Sequence, residues 1–171
     1  MASVLVEVVV ETLIGLRSES PVVILRDASG DRKIPIWIGH PEASVIALEL
    51  SDQHFPRPLT HDLLANMLKG LKVKVQRVEI CDLVENTYFA KIFLEREGEI
   101  LSVDARPSDS IAIALKTRAK IYADAKLFSS EIDSLLSSAG GTADGSDSPG
   151  ADELREFIEN LDPKDFGRFR F

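Results

Sequence analysis

The sequence predicts an α+β protein in which duplicated β-β-β-α units form a mostly antiparallel mixed sheet packed by helices. Strand-like runs alternate apolar and polar residues, whereas three other segments carry apolar residues at helical spacing. Two of the helical segments begin with similar decapeptides, PEASVIALEL at Pro41 and PSDSIAIALK at Pro107. Each decapeptide has proline first, serine fourth and a β-branched residue fifth, and each follows three strand-like segments, which indicates a duplication.

The strands are predicted from alternation and from their content of β-branched residues. They cover residues 3–11, 21–27, 33–38, 73–83, 86–95, 99–104 and, as a short last strand, 120–124. Turn residues at 27–33 and around Gly98 predict hairpins. The apolar parity changes between Val75 and Val78, which predicts a β-bulge near Gln76–Arg77.

Helices are predicted over residues 41–52, 60–71 and 107–117, where apolar residues recur every three or four positions. The 60–71 helix bridges the two units, with Thr60 as its predicted N-cap. In the third helix, Pro107 suits the first position. Asp62 and Asp109 lie in first turns, where a negative charge is favourable.

The character of the chain changes after residue 128. We predict a domain over residues 1–128, a flexible acidic Ser/Gly linker over 129–150, and a C-terminal amphipathic helix and tail over 151–171. The helix is predicted because apolar residues recur at helical spacing, at Leu154, Phe157, Ile158 and Leu161. Such a helix is expected to dock on the domain or on a partner, or to remain frayed.

Composition limits the class of protein. The net charge is −8, of which residues 129–171 carry −6, so the nearly neutral domain neither promotes nor excludes binding to nucleic acid. The single cysteine, Cys81, cannot form an intramolecular disulfide and is predicted to be a half-buried strand residue. The apolar N-terminus lacks a basic region and contains Glu7 and Glu11, which favours a strand over a signal peptide. No run approaches the ~20 apolar residues of a membrane span. We therefore expect a cytoplasmic protein with no membrane partner.

Two polar junctions, at residues 57–64 and 104–109, leave two interpretations open. Asp104, Arg106 and Asp109 can form an ion-pair network at a helix start, and Asp62 can stabilise the other helix start. Helix capping does not require His61, however, and a histidine beside an aspartate can carry protons near neutral pH. The junctions are therefore either structural or two walls of an active site.

Five segments resemble the bifunctional nuclease family, in the order and spacing of that family. They are PVVIL (21–25), IPIWIG (34–39) followed by Glu42 and Ala43, PRPLTHDLL (56–64), NTYFAKI (86–92) and DARPSDSIAIAL (104–115). The resemblance covers residues 1 to about 125, and LREFIENLDPKDF at 154–166 resembles the tail of many bacterial members. It implies an α+β domain and nuclease activity on DNA and RNA.

The motif positions suggest how such a nuclease would work. As hypotheses, the catalytic residues are His61, Asp62, Arg106 and Asp109, the substrate-binding residues are Arg57 and Trp37, and the metal ligands are Glu42, Asp104 and Asp109. The carboxylates would hold Mg²⁺ or Mn²⁺, and the arginines would grip the phosphate. An aromatic residue in a strand, such as Trp37, is more often part of the core than a platform for a base.

A competing hypothesis is a non-catalytic binding or regulatory module that oligomerises or docks a partner. In that case the Asp–Arg–Asp junction is structural or binds a small anion. A homo-oligomer is predicted under either hypothesis, because exposed strand edges invite pairing. His40 and His54 are predicted to be surface or capping residues, since neither lies in a pattern with metal-ligand spacing.

Overall fold

The computed structural model describes residues 3–16, 21–53 and 55–128. Along this part the elements are β1 (Leu5–Ile14), β2 (Val22–Asp27), β3 (Lys33–Trp37), α1 (His40–Leu50), α2 (Thr60–Gly70), β4 (Lys74–Val84), β5 (Thr87–Arg96), β6 (Glu99–Ala105), α3 (Pro107–Thr117), β7 (Lys120–Asp124) and a 3₁₀ turn (Ala125–Leu127). Each strand and helix predicted between residues 3 and 124 is present within about three residues of its predicted ends. The predicted linker at 129–150 and helix at 151–171 lie outside the described residues.

The seven strands form one sheet in the order β3-β2-β1-β7-β4-β5-β6. All neighbouring pairs are antiparallel except β4 and β7, which are parallel. The units β1-β2-β3-α1 and β4-β5-β6-α3 therefore form the two halves of the sheet, with β7 between them. The fold class predicted from the sequence is confirmed, as is the bulge, which lies between Val75 and Arg77.

The core lies between the sheet and helices α1 and α3, which pack against each other. The buried side chains Ile46 of α1 and Ile111 and Ile113 of α3 contribute its centre. Because corresponding helices of the two units are neighbours, their N-terminal turns lie side by side. Cys81 is half-buried on β4, as predicted. No helix in the described ranges is long and apolar enough to cross a membrane.

Helix α2 is attached to the domain in a different way from α1 and α3, because none of its eleven residues is buried. Leu63, Leu64 and Met67 of this helix, and Leu71 just after it, are each at least 42% exposed, whereas Leu68 packs against the core. The prediction that Thr60 is the N-cap is wrong. Leu59 is the N-cap, and its N–H donates to Asp62 Oδ2 at 2.8 Å. Polar contacts therefore contribute much of the attachment of this helix to the rest of the domain.

Candidate functional site

The first turns of all three helices meet at one place. Glu42, Asp62 and Asp109 each occupy the third position of their helix, and Arg106 is the residue just before α3. Helix N-termini carry a partial positive charge, which favours carboxylates at these positions. The cluster formed by Glu42, His61, Arg106 and Asp109 joins side chains from all three helix starts.

Arg106 is the centre of this cluster. Pro107 favours an extended backbone at the residue before it, and Arg106 has φ −67° and ψ 146°. Its Nε donates to Asp109 Oδ2 at 2.6 Å and its Nη2 to Asp109 Oδ1 at 3.1 Å, while Nη1 donates to Glu42 Oε1 at 2.8 Å. The side chain remains 66% exposed. A guanidinium has five N–H groups, so two are left for a ligand.

His61 reaches the cluster from α2. Its Nε2 lies 3.0 Å from Asp109 Oδ1, and the side chain is 15% exposed. The other ring nitrogen, Nδ1, is buried and has no hydrogen-bond partner among the described residues. An ionised Asp109 can only accept hydrogen bonds, so Nε2 carries the hydrogen and Nδ1 keeps its lone pair when the ring is neutral.

Hydrogen bonds keep Asp109 ionised. Burial is the largest single influence on the pKa of Asp109 and raises it, but the hydrogen bonds from Arg106 and His61, together with electrostatic attraction to these two residues, outweigh that effect. The pKa of Asp109 therefore lies below its usual value. The hydrogen bonds to Asp109, the charge of Asp109 and, to a smaller extent, the contact with Glu42 raise the pKa of Arg106. Both groups thus stay charged across the physiological pH range.

Asp62 belongs to a second polar group and not to the cluster. Its Oδ1 accepts a short hydrogen bond from Lys116 Nζ, which also donates to Glu49. The Lys116 side chain is 7% exposed, and burial alone would lower its pKa, but the bonds to Asp62 and Glu49 outweigh burial and raise it. Sequence reasoning missed Lys116 and Glu49, although each lies in phase with the buried apolar residues of its helix.

The structure does not bring the remaining predicted residues into hydrogen-bond contact with the cluster. Asp104 is exposed on β6, opposite Lys91 of β5, and Arg57 is exposed in the segment before α2. Within the described residues, neither has an ion pair or hydrogen bond to the cluster. Trp37 shares a pocket with Glu42 and Arg106. The alternative that Trp37 is a core residue is wrong, since it is 62% exposed.

Comparison with known proteins agrees with the predicted resemblance. The bifunctional nuclease domain family matches residues 23–134. The chain belongs to this family. An uncharacterised protein of Mycobacterium tuberculosis (strain H37Rv) is 38% identical over 161 residues, which cover 90% of this chain and 95% of that protein. Bifunctional nucleases 1 and 2 of Oryza sativa subsp. japonica are 25% and 27% identical over 118 and 134 residues. These matches cover 66% and 73% of this chain, but 36% and 41% of the rice proteins.

Gly39 shapes the cluster in this member of the bifunctional nuclease domain family. It is the N-cap of α1 with ordinary backbone angles, φ −80° and ψ 162°. A Cβ at this position would lie 2.4 Å from Glu42 Oε2, closer than any real contact. The absence of a side chain therefore lets the Glu42 carboxylate fold back over the helix start while it binds Arg106. Sequence reasoning did not single out Gly39.

The predicted metal ligands do not form a ready coordination site. Among the described residues, no three His, Cys, Asp or Glu side chains lie in an arrangement that could hold a metal ion. Glu42 and Asp109 are both engaged by Arg106, and Asp104 is not in contact with either. The three carboxylates thus do not fit Mg²⁺ or Mn²⁺ in this arrangement.

Proposed function

We propose that this chain hydrolyses phosphodiester bonds of DNA or RNA at the cluster of Glu42, His61, Arg106 and Asp109. The observation that carries the proposal is the His61–Asp109–Arg106 chain of hydrogen bonds, which joins a proton carrier to an exposed cation. Membership of a family in which several plant relatives are named bifunctional nucleases supports this chemistry. The two segments that carry the chain are 48 residues apart in sequence.

Arg106 is the proposed phosphate ligand. Its guanidinium is exposed and its orientation is fixed by two bonds to Asp109, so its remaining N–H groups can bind a phosphate and the extra charge of the transition state. Glu42 occupies Nη1 and adds a negative charge, which opposes the phosphate. Substrate binding would therefore turn Glu42 away from Arg106.

His61 is the proposed general base. Asp109 holds Nε2–H, which leaves the lone pair of Nδ1 to accept a proton from the attacking water. Because Nδ1 is enclosed, this step requires α2 to shift or the ring to turn. The absence of buried residues in α2 supports such a movement. His61 then releases the proton to solvent, and the leaving oxygen, which departs on the opposite side of the phosphorus, takes its proton from water.

The test is hydrolysis of labelled single-stranded DNA and RNA by the purified full chain. Arg106→Lys should raise KM at least several-fold because lysine cannot make the paired contacts. His61→Gln should lower kcat by about 100-fold or more, the typical contribution of general acid–base catalysis. Asp82→Asn is the matched control, since it breaks a carboxylate–lysine pair with Lys126 elsewhere on the surface. Equal activity of all variants would refute the proposal.

The predicted Mg²⁺ or Mn²⁺ and the roles of Asp62, Asp104 and Arg57 stay predictions. Cleavage assays with EDTA, and after either metal is added back, test whether a metal is required. Asp62→Asn, Asp104→Asn and Arg57→Ala test the others, because loss of a catalytic, metal-binding or phosphate-binding group should lower kcat/KM at least tenfold.

A second candidate function is that of a non-catalytic module that self-associates. Both faces of β6 are exposed, and Ile100, Leu101 and Val103 are each at least 45% exposed. The opposite edge strand, β3, is five residues long and contains Pro35, which cannot donate to a neighbouring strand. We propose that a second copy pairs along β6, which has seven residues and no proline.

Sedimentation velocity tests this pairing. Leu101→Lys should shift the protein towards the monomer, whereas Val4→Lys, an exposed apolar position just before β1 and away from β6, should not. A wild-type protein that sediments as a monomer at high concentration would exclude a homo-oligomer.

A further inference from the structure

Trp37 is the only tryptophan in the chain, and its side chain is 62% exposed at the end of β3. Its neighbour Ile36 is 2% exposed. Alternation along the strand explains why the two side chains face opposite ways. An exposed indole is unremarkable by itself, but this one lies at a pocket shared with Arg106.

The pocket has a volume of about 320 Å³, which lies within the usual range for small-ligand sites. It is formed by the end of β3, the start of α1, the β4–β5 turn and the start of α3. The turn contributes Asn86 and the start of β5 contributes Tyr88, and both side chains offer hydrogen-bonding groups. Glu85 and Asn86 both have positive φ, as a type I′ hairpin turn requires, so the turn that contributes Asn86 is tightly defined.

We infer that this pocket binds one unpaired nucleobase stacked on Trp37, with the adjoining phosphate at Arg106. This inference rests on the proposed function and names its substrate class, which is single-stranded nucleic acid. A base within a duplex is already stacked and paired, and extruding it costs free energy, so an unpaired strand binds better. Stacking also supplies affinity that the nearly neutral domain cannot obtain from a basic surface.

The fluorescence of Trp37 reports on the pocket directly, because no other tryptophan contributes. The full chain is titrated with a short single-stranded oligonucleotide of mixed sequence, the same strand annealed to its complement, and inorganic phosphate. Saturable quenching by the single strand, with weak or no quenching by the duplex and by phosphate, is the expected result. Quenching by phosphate alone, or equal quenching by duplex and single strand, would overturn the inference.

Variants provide the second measurement, with affinity read from the anisotropy of the labelled strand. Trp37→Ala should weaken binding of the single strand about 5- to 150-fold, because stacking contributes ~1–3 kcal/mol per base. Trp37→Phe keeps an aromatic ring and should lose less affinity. This second variant also keeps the test valid if Trp37→Ala fails to fold. Phe89→Ala is the matched control, since Phe89 is a 41% exposed aromatic residue outside the pocket.

The two proposals fail in different ways. If the single strand quenches Trp37 and binding depends on the ring, but no strand is cleaved, the base pocket stands and hydrolysis fails. If strands are cleaved and Trp37→Ala binds and cleaves them like Phe89→Ala, hydrolysis stands and the base pocket is refuted.

Discussion

His61 Nε2 and Asp109 Oδ1 lie 3.0 Å apart and connect the first turn of α2 to the first turn of α3. Asp109 also holds Arg106 through two hydrogen bonds, so a single carboxylate orients both the proposed base and the proposed phosphate ligand. Two helix starts that could each have been explained by capping thus form one connected group. Losing the carboxylate should disturb both partners together.

This shared role predicts non-additive kinetics. His61→Gln and Asp109→Asn should each lower kcat by about 100-fold or more, and the double variant should be little worse than either, because residues that act as a unit fail together. Single-turnover cleavage of a labelled single strand measures the three rates. Effects that simply multiply would show that the two residues act independently.

Gly39→Ala should move the Glu42 carboxylate, since the new methyl group would lie 2.4 Å from Oε2. The displaced carboxylate would leave Nη1 of Arg106 and remove an opposing charge, so binding of a single strand should tighten a few-fold, and Glu42→Gln should act in the same direction. Gly70→Ala is the matched control, because a Cβ at Gly70 meets nothing within 4 Å. Weaker binding in both Gly39→Ala and Glu42→Gln would show that Glu42 does not oppose the phosphate.

Lys116→Met should destabilise the fold, because it leaves Glu49 and Asp62 without their shared cation. Removing one partner of a buried ion pair typically costs about 3 kcal/mol or more, and the 31% exposure of Asp62 places the expected loss at the lower end. Urea denaturation of the wild type, Lys116→Met and Lys116→Met/Glu49→Gln measures it. The double variant should recover part of the loss, and its failure to do so would show that lost packing dominates.

The strands and helices could be predicted because each buries one face, and burial imposes a period of two or of 3.6 on apolar residues. The contact between His61 and Asp109 could not be predicted in this way, because no periodicity records which helix starts meet. The exposure of Trp37 could not be predicted either, since its strand neighbours are buried and its residue type favours a core. The sequence did carry a signal for the Lys116 group, namely a lysine in phase with Ala112 and Ile113.

The hairpin turn after β2 gives a prediction for acid stability that is independent of the proposed site. Asp27 is buried, and hydrogen bonds from the backbone and side chain of Ser29 and from Arg32 lower its pKa from 3.8 to about 2. A carboxylate whose pKa falls on folding stabilises the protein at pH values above its pKa in the unfolded state. This contribution is lost as the pH falls through its pKa in the folded state. The melting temperature of the wild type should therefore exceed that of Asp27→Asn by a constant amount above pH 5. The difference should shrink between about pH 4 and pH 2. Asp31→Asn, an exposed change in the same turn, is the control, and a difference that persists unchanged to pH 2 would refute the role of Asp27 ionisation.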